Sequence, residues 1–329
     1  MMKVAVLGSN SFSGSDFIDL LLEDGGYEVL GVSRSPEKAR VFLPYLARDR
    51  TNFRFLQADM NHDVERLLSD LDSMRPQVVV NFAAQSEVGP SWQYPEHWFQ
   101  TNTVALAKLV KALKDRQYLE RYVHISSPEV YGTCNHSVTE DQPFAPSTPY
   151  AASKAAADML LSTFAAQFGF PVITIRTTNV YGAHQQLFKI IPRSFIYLRK
   201  GRTIQLHGGG KAVKSYIHVR DASRGLIAAI TRGKIGEIYH FSPDQGYEVR
   251  DIVRKICTLS GQRFESATES VGERVGQDAA YLVDSSKARR EFGWRTEVDI
   301  ETGLEEVGAW IDRNWKHIDE MTHEYVHHP

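Results

Sequence analysis

Cysteine is nearly absent: Cys134 and Cys257 are the only two in 329 residues, and they lie far apart. That excludes a disulfide scaffold, and neither residue has the spacing of a metal site. Both are read as reduced thiols. No apolar run approaches the length that spans a bilayer. Neither sign of charge dominates, since 38 Lys and Arg stand against 40 Asp and Glu for a net −2. No global field therefore draws the chain to nucleic acid or an anionic membrane, although a local basic pocket stays open. Internal repeats and low-complexity tracts are missing too. The opening Met1-Met2-Lys3-Val4-Ala5-Val6-Leu7-Gly8 is too short for a signal peptide's apolar core and runs straight into a motif. A cytoplasmic protein is expected. His327-His328 are too few to argue for a metal, and no metal site is expected.

What is present is an ordinary globular composition, 42% hydrophobic and 24% charged, in a chain long enough for a large domain and a smaller one. Val4-Ala5-Val6-Leu7 is a short apolar run closed by Gly8, as a buried parallel strand should be. Phe17, Ile18, Leu20, Leu21 and Leu22 then recur at helical spacing within 15–23. Strand-like segments follow at 28–33, 53–57, 78–82, 121–126 and 172–176, alternating with helix-like ones at 37–47, 64–71, 98–116 and 150–168. Repeated βα units predict an α/β fold, a doubly wound parallel sheet (Rossmann) over residues 1–182. Ligands of such sheets lie beyond the carboxyl ends of the strands. After Gly182 the rhythm breaks, and residues 183–329 read as a smaller mixed α/β substrate lobe, with the segment 238–241 returning a strand to the main sheet.

The first turn reads Gly8-Ser9-Asn10-Ser11-Phe12-Ser13-Gly14, with glycine at both ends of a Gly-x-x-Gly-x-x-Gly pattern and Ser11 in the middle. Glycines there let backbone approach a pyrophosphate at the following helix N-terminus. A tight turn without a ligand is the alternative, and the place between first strand and first helix favours the dinucleotide. The second strand ends Gly31-Val32-Ser33-Arg34-Ser35, with no carboxylate for a ribose 2′-hydroxyl. Ser33 and Arg34 suit a 2′-phosphate, which tilts NAD(P) toward NADP, against the alternative of a solvated Arg at a helix start. Asp59 is placed to accept from the adenine amino group, or to cap a helix.

Three further pieces fall at strand or helix ends: Ala83-Ala84-Gln85-Ser86, Ser126-Ser127-Pro128-Glu129-Val130-Tyr131-Gly132, and Tyr150-Ala151-Ala152-Ser153-Lys154. Tyr150 and Lys154 share a helix face. An ammonium beside the phenol is expected to lower its pKa from about 10 toward neutrality. The phenolate then takes a hydroxyl proton while hydride leaves for a nicotinamide. A surface Tyr/Lys pair is the bland alternative, and the nucleotide turn and the hydroxyl-rich strand end weigh against it.

With Asn179-Val180-Tyr181-Gly182 and Arg274-Val275-Gly276-Gln277-Asp278, these motifs resemble the extended short-chain dehydrogenase/reductase family over essentially all 329 residues. The likeness is to its nucleotide-sugar dehydratase/epimerase/decarboxylase branch, whose members oxidise the sugar at C-4 and usually return the hydride. The resemblance implies that Ser127 and Tyr150 engage the C-4 oxygen and Lys154 the nicotinamide ribose. It implies cofactor contacts from Gly8, Asn10, Ser11, Phe12, Ser13, Gly14, Met60, Ala83, Ala84, Gln85, Asn102 and Thr177. It also implies that Ser86, Asn179, Arg193, Lys214 and Arg274 meet the substrate, the last four at its diphosphate. Lys214 stands where relatives more often carry Arg, so a bidentate contact is not expected there.

A C-4 ketone acidifies the C-5 hydrogen, and Glu129 stands where the family's dehydratases hold the base that removes it. The 4-epimerases usually have a small or hydroxyl residue there. Glucose-type dehydratases place an Asp just before this Glu to protonate the leaving C-6 hydroxyl, whereas this chain has Pro128. Mannose-type dehydratases also lack that Asp, and Gln85-Ser86 and Ser33-Arg34 resemble them. The expected activity is a nucleotide-sugar 4,6-dehydratase. Alternatives are a nucleotide-uronate decarboxylase, a 4-keto-sugar reductase or 4-epimerase, and an NAD(P)-binding regulatory protein. By the same resemblance, helices 98–116 and 150–168 are expected to form a homodimer interface.

Overall fold

In the computed structural model, the described residues are 1–134, 136–273 and 280–328, with backbone only at 280 and 281. Seven strands form the main sheet: β1 (Met2–Leu7), β2 (Tyr27–Ser33), β3 (Phe53–Gln57), β4 (Val78–Asn81), β5 (Arg121–Ile125), β6 (Val172–Thr177) and β7 (Ile238–Phe241). Their order is β7-β6-β5-β4-β1-β2-β3, and every pairing is parallel. The order reverses between β1 and β4, which opens a crevice at their carboxyl ends. The expected return of a strand from the second half is β7, registered on β6 with Ile238 opposite Thr174.

Residues along β1 alternate between two cores, as a strand covered on both faces requires. Val4 and Val6 pack with Phe17, Ile18, Tyr239 and Phe241. Ala5 and Leu7 pack with Leu67, Leu106, Leu109 and Leu161 on the other face. The covering helices are α1 (Phe12–Asp24), α2 (Val64–Met74) and a continuous rod, α3, built from Pro95–Phe99, a π-helical turn Gln100–Ala105 and Leu106–Leu113. Next comes α4 (Pro149–Phe168). A third core joins α5 (Ile190–Arg199), α7 (Val249–Leu259) and α8 (Ile300–Arg313) through Ile191, Ile256, Leu304 and Trp310, while α6 (Val219–Arg232) packs back on the main sheet.

The segment 37–47, expected to be helical, is a loop with one 3-10 turn, Pro44–Ala47. Pro44 has no N–H to continue a helix, and the loop instead buries Leu43 and Tyr45 against α1 and β2. Apolar spacing alone did not separate a buried loop from a helix. No helix among the described residues is long and apolar enough to cross a membrane.

Candidate active site

The turn after β1 is shaped for close approach. Gly8 has φ +85°, and a Cβ there would lie 2.7 Å from the Ala83 nitrogen. A Cβ on Gly14 would meet the Gly8 carbonyl oxygen at 2.5 Å, so α1 can start directly above the turn. Ser11, between them, is the N-cap of α1, its hydroxyl accepting from the Gly14 N–H at 3.1 Å. The middle position therefore serves the helix. Ser33 Oγ accepts from the Asn10 N–H at 2.9 Å, so this hydroxyl, expected at a 2′-phosphate, ties the turn to β2. Asn10 Nδ2 donates to the Ser35 and Pro36 carbonyls, while its Oδ1 is buried with no partner. An unmatched buried acceptor in a glycine turn fits a hydroxyl-bearing nucleotide.

Other expected cofactor residues take different places. Asp59 Oδ1 accepts from the Asn61 N–H at 2.8 Å and caps no helix, since Asp63 holds the N-cap position of α2. Asn102 uses its amide inside the protein: it accepts from the Gln85 N–H at 2.8 Å and donates to the Gln85 carbonyl and Ser153 Oγ. It thus locks the 83–86 loop to α4 from behind. Met60 is buried after β3, and Thr177 closes β6 at the rim. Arg274 lies outside the described residues.

Beyond β5, Ser126 Oγ donates to Asp158 Oδ2 at 2.7 Å. Ser127 caps the 3-10 turn Pro128–Tyr131, accepting from the Glu129 N–H at 3.2 Å, and Pro128 is buried at the first position of that turn. The turn brings Glu129 into the cleft with Tyr150, the second residue of α4. Thr148 caps α4, accepting from the Ala151 N–H at 3.1 Å. Burial, then the Glu129 charge, raise the Tyr150 phenol above its usual range, and a hydrogen bond with Ser127 only partly opposes them. This reverses the expectation of a phenol lowered by Lys154. The Lys154 ammonium is itself brought down to about 8 by burial, Asp158 pulling the other way. It donates to the Ile125 carbonyl at 2.7 Å and lies 3.4 Å from His124 Nε2. Ser127, Glu129 and Tyr150 are thus one cluster, with Lys154 one helical turn on along α4.

Glu129, Tyr150 and Lys154 line a cleft of about 740 Å³, which also takes in Ser11, Phe12, Ser13, Ala84 and Ser86. Asn179, Arg193 and Lys214 line it as well. A profile of the GDP-mannose 4,6 dehydratase family matches residues 6–307. The chain belongs to that family. Among its relatives, the dTDP-glucose 4,6-dehydratase of Xanthomonas campestris pv. campestris (strain B100) is 33% identical, over 94% of this chain and 93% of that protein. The low-salt glycan biosynthesis protein Agl12 of Haloferax volcanii is 32% identical, over 92% and 96%. The crystal structure of DesIV, a dTDP-glucose 4,6-dehydratase from Streptomyces venezuelae with NAD and TYD bound, superposes with a TM-score of 0.89 at 31% identity, covering 96% of this chain and 98% of that one.

In this member of the dehydratase family the cleft has walls that no motif announced. Lys189, the N-cap residue of α5, places Nζ 2.6 Å from Glu87 Oε1 in the loop after β4, an ion pair across the cleft. Both fall outside the motifs of the sequence. Glu324 and Tyr325 line the same cleft from the far end of the chain. No sequence signal pointed to them.

Proposed function

We propose that the protein is a nucleotide-sugar 4,6-dehydratase, which oxidises C-4 of a nucleoside-diphosphate hexose, eliminates water across C-5 and C-6, and returns the hydride. The observation that carries this reading is the meeting of Glu129 and Tyr150 in one cleft, with Ser127 hydrogen-bonded to the phenol. Bound NAD(P)+ supplies the hydride acceptor and later the donor. Tyr150, hydrogen-bonded with Ser127, takes the proton of the C-4 hydroxyl once its own is lost, and Lys154, one helical turn on, is the chain's nearby cation. The C-4 ketone acidifies C-5, and the Glu129 carboxylate removes that proton. The same group, now a carboxylic acid, protonates the departing C-6 hydroxyl, which leaves as water, and C-5 takes a proton from solvent as the hydride returns to C-6. Pro128 has no proton to give, so Glu129 serves both steps.

Arg193, Lys214 and Asn179 line the part of the cleft assigned to the diphosphate, and Arg274 is proposed there from the sequence alone. The dinucleotide half is residues 1–182 and the substrate half 183–329. Arg34 favours NADP; paired affinities for NAD and NADP, with and without Arg34→Ala, test this. The enzyme is read as a cytoplasmic homodimer: Val104 on α3 and Met159 and Phe168 on α4 are exposed apolar residues on the two helices expected to pair. Sedimentation at micromolar concentration giving a monomer removes the dimer.

The deciding experiment incubates purified protein with GDP-, UDP-, dTDP- and CDP-sugars, uronates included, and follows mass. The first to try is dTDP-glucose, named in the relatives. Loss of water without net cofactor turnover supports the dehydratase. A second reading, decarboxylation of a nucleotide-linked uronate, is favoured by Pro128, because a β-keto acid loses carbon dioxide without an acid catalyst. Loss of carbon dioxide selects it, and an unchanged mass with a new epimer overturns both.

A further inference from the structure

Residues 322–328 follow the last helices back to the mouth of the cleft. His323 is buried, its Nε2 2.9 Å from the Ile318 carbonyl oxygen, which anchors the segment to the third core. Glu324 Oε1 accepts from the Tyr197 hydroxyl on α5 at 2.9 Å. The Tyr325 ring meets Phe188 edge to face at 5.3 Å. His327 then stacks among Tyr94, His97 and Trp98, with centroids 5.1, 5.2 and 5.3 Å away. Its Nε2 lies 2.9 Å from His97 Nδ1, and its Nδ1 lies 3.1 Å from the Tyr325 hydroxyl. Finally the His328 carbonyl accepts from Gln85 Nε2 at 2.7 Å and from Arg34 Nη2 at 3.2 Å. The segment thus begins on α5 and ends on the loops after β2 and β4, the two loops that flank the glycine turn.

We infer that residues 324–328 are a clasp over the cofactor end of the cleft, which retains the bound dinucleotide. The segment covers the cleft rather than filling it, because Glu324 and Tyr325 form part of the wall of a cavity that stays open at about 740 Å³. Its outward contacts reach α5 at one end and the loops after β2 and β4 at the other, so a ligand leaving past those loops must first break the His327 stack and the His328 hydrogen bonds. Retention suits a cofactor reduced and reoxidised within each turnover; that use rests on the dehydratase reading, while the clasp itself is a matter of contacts.

The test is release of reduced dinucleotide, followed by its fluorescence after mixing with excess oxidised form. The proteins compared are the full chain, the Tyr325→Ala/His327→Ala double variant, and a chain ending at His323. Dissociation should quicken by about tenfold or more in both variants, since changes at one interface act mainly on the off-rate. An unchanged off-rate in the double variant, with native circular dichroism, overturns the clasp even if the shortened chain fails to fold. A faster on-rate with the same off-rate overturns it too, making the segment a plug. A full chain whose clasp passes this test but which dehydrates no nucleotide sugar keeps the clasp and loses the dehydratase reading. Dehydration with an unaltered off-rate does the reverse.

Discussion

Lys154 donates its ammonium to the carbonyl of Ile125 at 2.7 Å, in a site dry enough to bring its pKa down to about 8. The unfolded chain keeps the ordinary value of 10.5, so between about 8 and 10.5 it holds a proton that the folded protein has released. Through this residue, stability of the cofactor-free protein therefore rises with pH across that window. Urea titrations of wild type and Lys154→Met should show the wild type gaining on the variant from about pH 8 upward. A difference independent of pH would mean that the ammonium is not desolvated.

Glu129→Gln separates the two halves of the chemistry. The amide cannot take the C-5 proton, so product formation should fall by about 10²–10⁴-fold. Oxidation at C-4 needs only Tyr150 and its neighbours, so reduced cofactor should build up when sugar is added. Rapid-mixing absorbance reads both, and a variant that still turns over with no such build-up removes Glu129 from the role.

Behind the site, Asp158 Oδ2 accepts from Arg176 Nη2 at 2.7 Å, and Arg176 is wholly buried. Asp158→Ala leaves that guanidinium without its carboxylate. The expected loss is about 3–5 kcal/mol in urea unfolding, the range for breaking a buried pair from one side. A loss under about 1 kcal/mol would show that water replaces the partner.

Lys189 and Glu87 meet across the cleft, and each keeps some exposure. Lys189→Met should change stability by no more than about 1 kcal/mol, as a partly solvated pair does. Its effect should fall on KM for the nucleotide sugar, with kcat little altered. An unchanged KM would leave the pair a strut across the cleft.

Much of the frame was legible because its signals are local. The apolar run Val4–Leu7 read directly as β1, since a strand covered on both faces must be apolar throughout, and 53–57 read as β3, which lies at the edge of the sheet. Tyr150 and Lys154 declared themselves by helical spacing, and Glu129 by the resemblance to the family's dehydratases. The loop at 37–47 misled because its buried side chains imitate helical spacing, and Pro44 was the local sign against a helix.

The sequence by itself determined the order of elements and the residue types at the strand ends, since both depend on neighbours within a few positions. Only the tertiary structure decided what those residues do. Ser33 and Asn102 turned inward as ties, Tyr150 went up rather than down in pKa, and residues 324–328 came to lie on Arg34 and Gln85. Hydrogen-bond partners, desolvation and contacts between distant segments come from how the whole chain packs, and no short stretch of sequence carries them.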